Sequence, residues 1–318
     1  MSTANAKELR LPPTFYSNKR RRKRGIINAK AYLFVLPTVI MIFTFSYYPA
    51  IAAFYYSFTN WDGFRPAQFI GFDNFVSIFT TEEFRQAFLN LLWITLFSVF
   101  VTITVPLIVA LFIYKIRNQK LQYFYRLLFV FPMVVPAMVG ILLWQFILNP
   151  DVGLMNAVLS ASGVPQDQLP LWLASPKTAM LSLFVMGFPY VSGVNILIYL
   201  AGLQNIPKEL KEAAIVDGAN GFRLFFKIEL PLVMSQIKLL VILTVIGVLQ
   251  SFHIQLVLTG GGPMNSTTVP GYIMYKEAIN NNQLGYGCAI GVVLFLLIFT
   301  LTVINNKYLK SSTEYDQG

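Results

Sequence analysis

Charge is scarce in this chain. Asp, Glu, Lys and Arg make up 12% of its 318 residues, where a soluble domain carries about 25%. Histidine occurs once, at His253, and cysteine once, at Cys288. A lone histidine excludes H-E-x-x-H zinc chemistry and any histidine cluster. A lone cysteine excludes an internal disulfide, and Cys288, set in an apolar run, reads as a packing residue. The chain has no G-x-S-x-G and no glycine followed by lysine. It therefore lacks a phosphate-binding P-loop and should not hydrolyse ATP. No nucleophile–base–metal set is available, so the chain reads as a non-enzyme. No soluble domain carries a basic stripe, which argues against nucleic acid as a partner.

What the chain does have is apolar sequence: 56% hydrophobic residues and a mean hydropathy of +0.60. Six runs lack Asp, Glu, Lys and Arg altogether: 31–58, 87–114, 127–149, 178–204, 239–258 and 286–304. Each is close to or above the roughly 20 residues that cross a bilayer core. The reading is an all-α polytopic membrane protein with six transmembrane helices. It divides into a basic tail (1–30), a six-span domain (31–308) and a C-terminal tail (309–318). No cleavable signal pattern is present, so the first run is expected to stay as a span. The runs contain no acidic residue, which removes the usual intramembrane proton relay. A sodium site built from backbone carbonyls would leave no trace in sequence and stays open.

The net charge of +10 is an orientation signal. Nine Lys and Arg lie in 1–30, four in 115–126, four in 203–229 and two in 305–318, nineteen in all. The alternate connections hold Arg65, Arg85 and Lys276, and Lys177 and Lys238 sit at or near span ends. The positive-inside rule then predicts both termini in the cytoplasm. The six cations at Lys19–Arg24 could also hold anionic membrane lipid.

The connections carry pattern of their own. Phe72, Phe75, Val76 and Phe79 fall at helical spacing after Asp73, which predicts a short amphipathic helix. Gly260-Gly261-Gly262-Pro263 predicts a tight non-helical turn. The loop 203–231 is a polar island of mixed charge between two apolar runs. Pro207 suits the first turn of a helix over Lys208–Val216, Gly218 suits a sharp turn, and Phe222–Leu230 forms a second short segment leading to Pro231. This is a helix–turn–helix knob on the cytoplasmic side.

Polar residues inside the runs must face another helix or a wet path, because lipid cannot satisfy them. Candidates for a substrate path are Gln145, Asn195, Gln250, His253 and Gln255, with the aromatic rings Trp144, Tyr190 and Phe252 between them. Neutral hydrogen-bonding groups beside aromatic faces suit a polyhydroxylated neutral solute such as a sugar. The alternative for each is a hydrogen bond to a neighbouring helix. Prolines at 37, 49, 106, 132, 136 and 189 interrupt the runs, as in a transport bundle more than in an anchor.

Glu212-Ala213-Ala214, three residues, Gly218, nine residues, Ile228, one residue, Leu230-Pro231 matches the EAA signature at every fixed position. In this respect the chain resembles the membrane subunits of binding-protein-dependent ABC importers. Further stretches resemble the carbohydrate-type permeases of the maltose and glycerol-phosphate superfamily: YLFVLPTVIMIFTFSYYPAIAAFYYSFTNW, IGFDNFVSIF, WQFILNPDVGLMNAVL, YLAGLQNIPKEL and VLTGGGP. The extra spans and large insert of the maltose-type subunit are lacking. The resemblance implies a type I ABC importer permease fold and a bacterial inner-membrane location. It implies that Glu212, Ala213, Ala214, Asp217, Gly218, Ile228 and Pro231 belong to a coupling helix docking on an ATPase dimer. It implies a second homologous permease subunit, an extracytoplasmic solute-binding protein and a sugar substrate, an oligosaccharide above all. No cofactor is expected in this chain, with ATP and Mg held by the ATPase. Glycerol phosphate as substrate, and an ion-coupled secondary transporter acting alone, are the alternatives.

Overall fold

A computed structural model describes residues 31–308. The expected tails, 1–30 and 309–318, lie outside the described residues. Residues 31–52 form a compact unit by themselves, part of a long exposed helix α1 (Ala31–Tyr56). The second unit, from Ala53 onward, holds everything below. Among its described residues there is no β-strand, only an isolated bridge between Thr59 and Phe69.

Helix α2 (Asp73–Thr80) is the predicted amphipathic segment. It is anchored by the buried amide of Asn74, which donates to the carbonyls of Ser57 and Thr59, each at 2.9 Å. Helix α3 (Glu82–Lys115) is the axis of the unit. One core gathers at its first turns, where Phe84, Ala87 and Leu91 meet Ile78, Leu249, Ile273 and Ile290. A second core gathers at its last turns, where Leu107, Ala110 and Ile113 meet Ile196, Tyr199, Leu203 and Leu240. Between the cores, and outward, α3 keeps large apolar groups exposed, including Trp93, Phe100 and Phe112. A soluble monomer rarely exposes so continuous an apolar surface.

The third apolar run is not one straight helix. It runs as α4 (Gln119–Val130) into a 3₁₀ turn at Phe131–Val134, then restarts as α5 (Ala137–Ile147), with an 87° bend between the halves. Val135 is extended because the ring of Pro136 forbids the helical conformation before it. The fourth run is also divided. It folds as α7 (Pro176–Val185) and α8 (Gly193–Gln204), and 186–192 is non-helical. Gly187 and Tyr190 there have φ of 93° and 61°. The interruption that Pro189 announces in the run 178–204 is thus a full break. Short helix α6 (Leu154–Ala161) precedes α7.

Among the described residues, four helices are long and apolar enough to span a membrane singly, and the bent pair supplies a fifth candidate. Helix α8 starts against the bend in α4: a Cβ on Gly193 would lie 2.6 Å from the Phe129 carbonyl, so only glycine permits the approach. The polar loop folds as α9 (Lys208–Val216) and α10 (Gly221–Leu224), the latter continued by a π turn at Phe225–Glu229. Pro207 takes the N-cap position, one place earlier than the first-turn placement the sequence suggests. Helix α11 (Met234–Gln250) breaks at extended Ser251 and resumes as a π turn at Gln255–Thr259. The predicted glycine turn follows. It is held by Asn90 of α3, whose amide donates to the carbonyls of Asn265 and Thr268, each at 2.9 Å. Helices α12 (Pro270–Tyr275) and α13 (Leu284–Tyr308) complete the described chain.

Candidate functional site

Two features are candidates for function: a cavity beside α3 and the knob formed by α9 and α10. The cavity, about 370 Å³, is lined by α3 from Ile94 to Pro106, by the end of α7, by the break 186–192 and the start of α8, and by Ile254 and Gln255. Along α3 it lies between the two cores.

Its geometry follows from Pro106 in α3 and from the break before α8. Pro106 has no N–H, so the carbonyl of Thr102, four residues back, loses its helical donor. The hydroxyl of fully buried Tyr199 supplies one instead, at 3.2 Å. The Thr102 hydroxyl in turn pairs with that of Thr244 at 3.1 Å, so α3, α8 and α11 are tied at one point of the cavity wall. At the break, the Tyr190 hydroxyl donates to the Phe184 carbonyl at 2.5 Å, satisfying an acceptor freed at the end of α7. Left-handed backbone at a tyrosine costs about 1–2 kcal/mol, and such strain tends to sit at functional sites.

The result is an aromatic wall and a polar wall. Phe97 stacks on Phe184 (centroids 4.5 Å apart) and meets Tyr190 edge-on at 5.7 Å. Ser98, Thr102, Ser192, Asn195 and Gln255 supply hydrogen-bonding groups, and no charged side chain lines the space. Among the described residues, neither the Asn195 nor the Gln255 side chain has a hydrogen-bond partner, although Gln255 is buried. Each amide offers two N–H donors and an acceptor oxygen to whatever enters.

Of the eight path candidates, Tyr190, Asn195 and Gln255 meet here. Trp144 and exposed Gln145 lie on α5, which packs against the π turn at 255–259, but neither lines the cavity. Gln250 and His253 are exposed beside the break in α11, and Phe252 stacks on Tyr275. Phe97, Ser98, Thr102, Phe184 and Ser192 were missed. For Ser98 and Thr102 a signal exists: two hydroxyls at i and i+4 in a charge-free run occupy one helix face.

The knob is built as its residue types require. Gly218, at φ 79°, stops α9. Its N–H bonds the Ile215 carbonyl at 3.0 Å, and the Ala219 N–H bonds the Ala214 carbonyl at 2.9 Å. This is the paired closure of a Schellman motif. Asn220 then caps α10, accepting from the Arg223 N–H at 2.9 Å. Glu212, Ala213, Asp217 and Gly218 are exposed, as are the apolar Ile215 (58%), Val216 (86%) and Phe222 (72%). Ile228 is half-buried and Pro231 exposed. So small, acidic and apolar groups share one accessible surface. Behind it lies a buried ion pair that the signature does not include. The Lys211 ammonium sits 3.7 Å from the Glu229 carboxylate and 4.1 Å over the ring of Tyr114, whose hydroxyl it also contacts.

The model of the family described as binding-protein-dependent transport system inner membrane component matches residues 102–314. The chain belongs to that family. It is 35% identical over 292 residues to the sn-glycerol-3-phosphate transport system permease protein UgpA of Escherichia coli, covering 89% of this chain and 95% of the relative. It is 34% identical to the diacetylchitobiose uptake system permease protein NgcF of Streptomyces coelicolor, covering 86% of this chain and 81% of that one. A chain of the bacterial alginate ABC transporter, solved with a pentasaccharide-bound periplasmic protein, superposes with a TM-score of 0.79 at 23% identity. That match covers 92% of this chain and 99% of the other, and it establishes the fold as that of a type I ABC importer permease. The family is an ABC transporter permease of the inner membrane, and the EAA signature falls within the matched residues.

Proposed function

We propose that this chain forms half of the translocation path of an ATP-driven importer for a neutral sugar, an oligosaccharide above all. The observation that carries the substrate class is the cavity: unpaired amides and hydroxyls facing aromatic rings, with no cation. A sugar presents hydroxyls to the polar wall and C–H faces to the rings. Glycerol phosphate, which the names of several relatives carry, brings a doubly charged group that this lining does not neutralise. The diacetylchitobiose relative handles a saccharide by name.

On this reading both termini and the knob are cytoplasmic, in accord with the charge count. The exposed surface of Glu212, Ala213, Asp217 and Gly218 docks on an ATPase dimer that holds ATP and Mg. A second homologous permease closes the path, and a solute-binding protein delivers substrate from outside. The chain itself contributes no hydrolysis. The test is uptake by the assembled importer from a panel of labelled oligosaccharides, monosaccharides and glycerol 3-phosphate. Import of a neutral saccharide, lost in Gln255→Leu, supports the reading. Preferred import of glycerol 3-phosphate would overturn the substrate class.

A further inference from the structure

Lys211 lies just before the EAA signature and Glu229 at its free position between Ile228 and Leu230. The structure nevertheless buries both: their side chains are 12% and 3% exposed. They bring three segments together, namely α9, the π turn that ends α10, and the last turn of α3 at Tyr114. The π turn sets the meeting, because its wider winding shifts the helix phase and Glu229 becomes the buried residue of Phe225–Glu229.

A buried pair of this kind contributes little to stability by itself, but separating the partners leaves a charge without water or counter-charge. The three segments are therefore obliged to move together. From Tyr114, α3 runs back to Pro106 and Thr102, which line the cavity. At 1.5 Å per residue that distance is about 18 Å along one helix. Two backbone routes lead from α9 to the cavity: back through the non-helical 205–207 into α8, whose Asn195 lines it, and forward through the Gly218 elbow, the π turn and the break before Met234. Each of these can absorb a rotation.

We propose that Lys211, Glu229 and Tyr114 form the stiff link that delivers displacement of α9 to α3 and hence to the cavity. They are positioning residues for transport. The proposal rests on the reading of α9 as the ATPase-facing helix.

The test uses the complete importer in proteoliposomes and measures solute imported per ATP hydrolysed. Glu229→Gln should retain binding-protein-stimulated ATPase activity within about twofold and lose at least tenfold in import per ATP. Exchanging the charges (Lys211→Glu with Glu229→Lys) should recover at least half of the wild-type ratio. An unchanged ratio in Glu229→Gln, or equal loss of uptake and hydrolysis, would overturn the link, because a merely structural pair lowers both through abundance. If Glu229→Gln fails to accumulate, Tyr114→Phe decides: at least a threefold fall in the ratio supports the link, and an unchanged ratio overturns it. Glu212→Lys separates this from the underlying reading. Normal ATPase stimulation and uptake in that variant would remove the docking assignment, whereas their loss there with an unchanged ratio in Glu229→Gln removes only the link.

Discussion

Gly218 offers the sharpest separation of conformation from contact. Its φ of 79° belongs to the left-handed region, and a Cβ built there meets nothing within 4 Å. Substitution in this chain is therefore opposed by backbone energy alone, about 1–2 kcal/mol for an ordinary residue. That lowers the population of the native elbow by a factor of about 5 to 30. Asparagine, which enters this region far more readily, should cost less, and β-branched valine more. Import rates, normalised to protein in the membrane, should thus fall in the order Gly, Asn, Ala, Val. The assay is uptake and stimulated ATPase activity of the reconstituted importer for each variant. Equal inactivity of the asparagine and valine variants at normal abundance would contradict a purely conformational cost. It would mean that a partner surface approaches too closely for any side chain.

Other outcomes follow from the cavity and the outer connections. Tyr199→Phe removes the donor to the Thr102 carbonyl beside Pro106, and a buried acceptor left unpaired costs about 1–3 kcal/mol; detergent-solubilised protein should unfold at lower temperature, and Pro106→Ala in the same chain should recover part of the loss. Asn195→Ala and Gln255→Leu should each weaken apparent solute affinity while leaving the thermal midpoint within about 2 °C, since neither amide bonds the protein. Lys276 is held charged above its ordinary range chiefly by its hydrogen bond to Glu83, at 2.8 Å. A raised ammonium pKa adds stability that is complete below the ordinary value of 10.5 and is lost as pH climbs through the raised one. The difference in thermal midpoint between wild type and Lys276→Met should stay constant from pH 7 to about 10 and shrink above it. The pair is partly exposed, so the difference should correspond to less than about 1 kcal/mol.

Much of this molecule is legible in its sequence because lipid imposes a simple rule on composition. Charge-free runs became helices, and the helix over Lys208–Val216 with its stop at Gly218 follows from proline, glycine and capping chemistry alone. The runs at 127–149 and 178–204 were harder. Their prolines and glycines announce a disturbance, but its size depends on what the freed groups find, and that is tertiary. The 87° bend and the left-handed Tyr190 are cases of this kind. The cavity was half visible for the same reason. Asn195 and Gln255 stood out as amides in apolar sequence, whereas Phe97 and Phe184 look like any lipid-facing phenylalanine until the break stacks them. Lys211 and Glu229 are eighteen residues apart in sequence. They read as two charges of a polar loop, and only the elbow at Gly218 and the π turn bring them together.

The central claim is that this chain transports only as part of an ATP-driven assembly, coupled through its knob. The direct measurement is solute uptake into vesicles holding this chain alone, compared with vesicles holding it with its co-purifying permease, ATPase and binding protein. The account predicts no uptake by the isolated chain under any ion gradient, and ATP-dependent uptake by the assembly that Glu212→Lys abolishes. Gradient-driven uptake by the chain alone would contradict it.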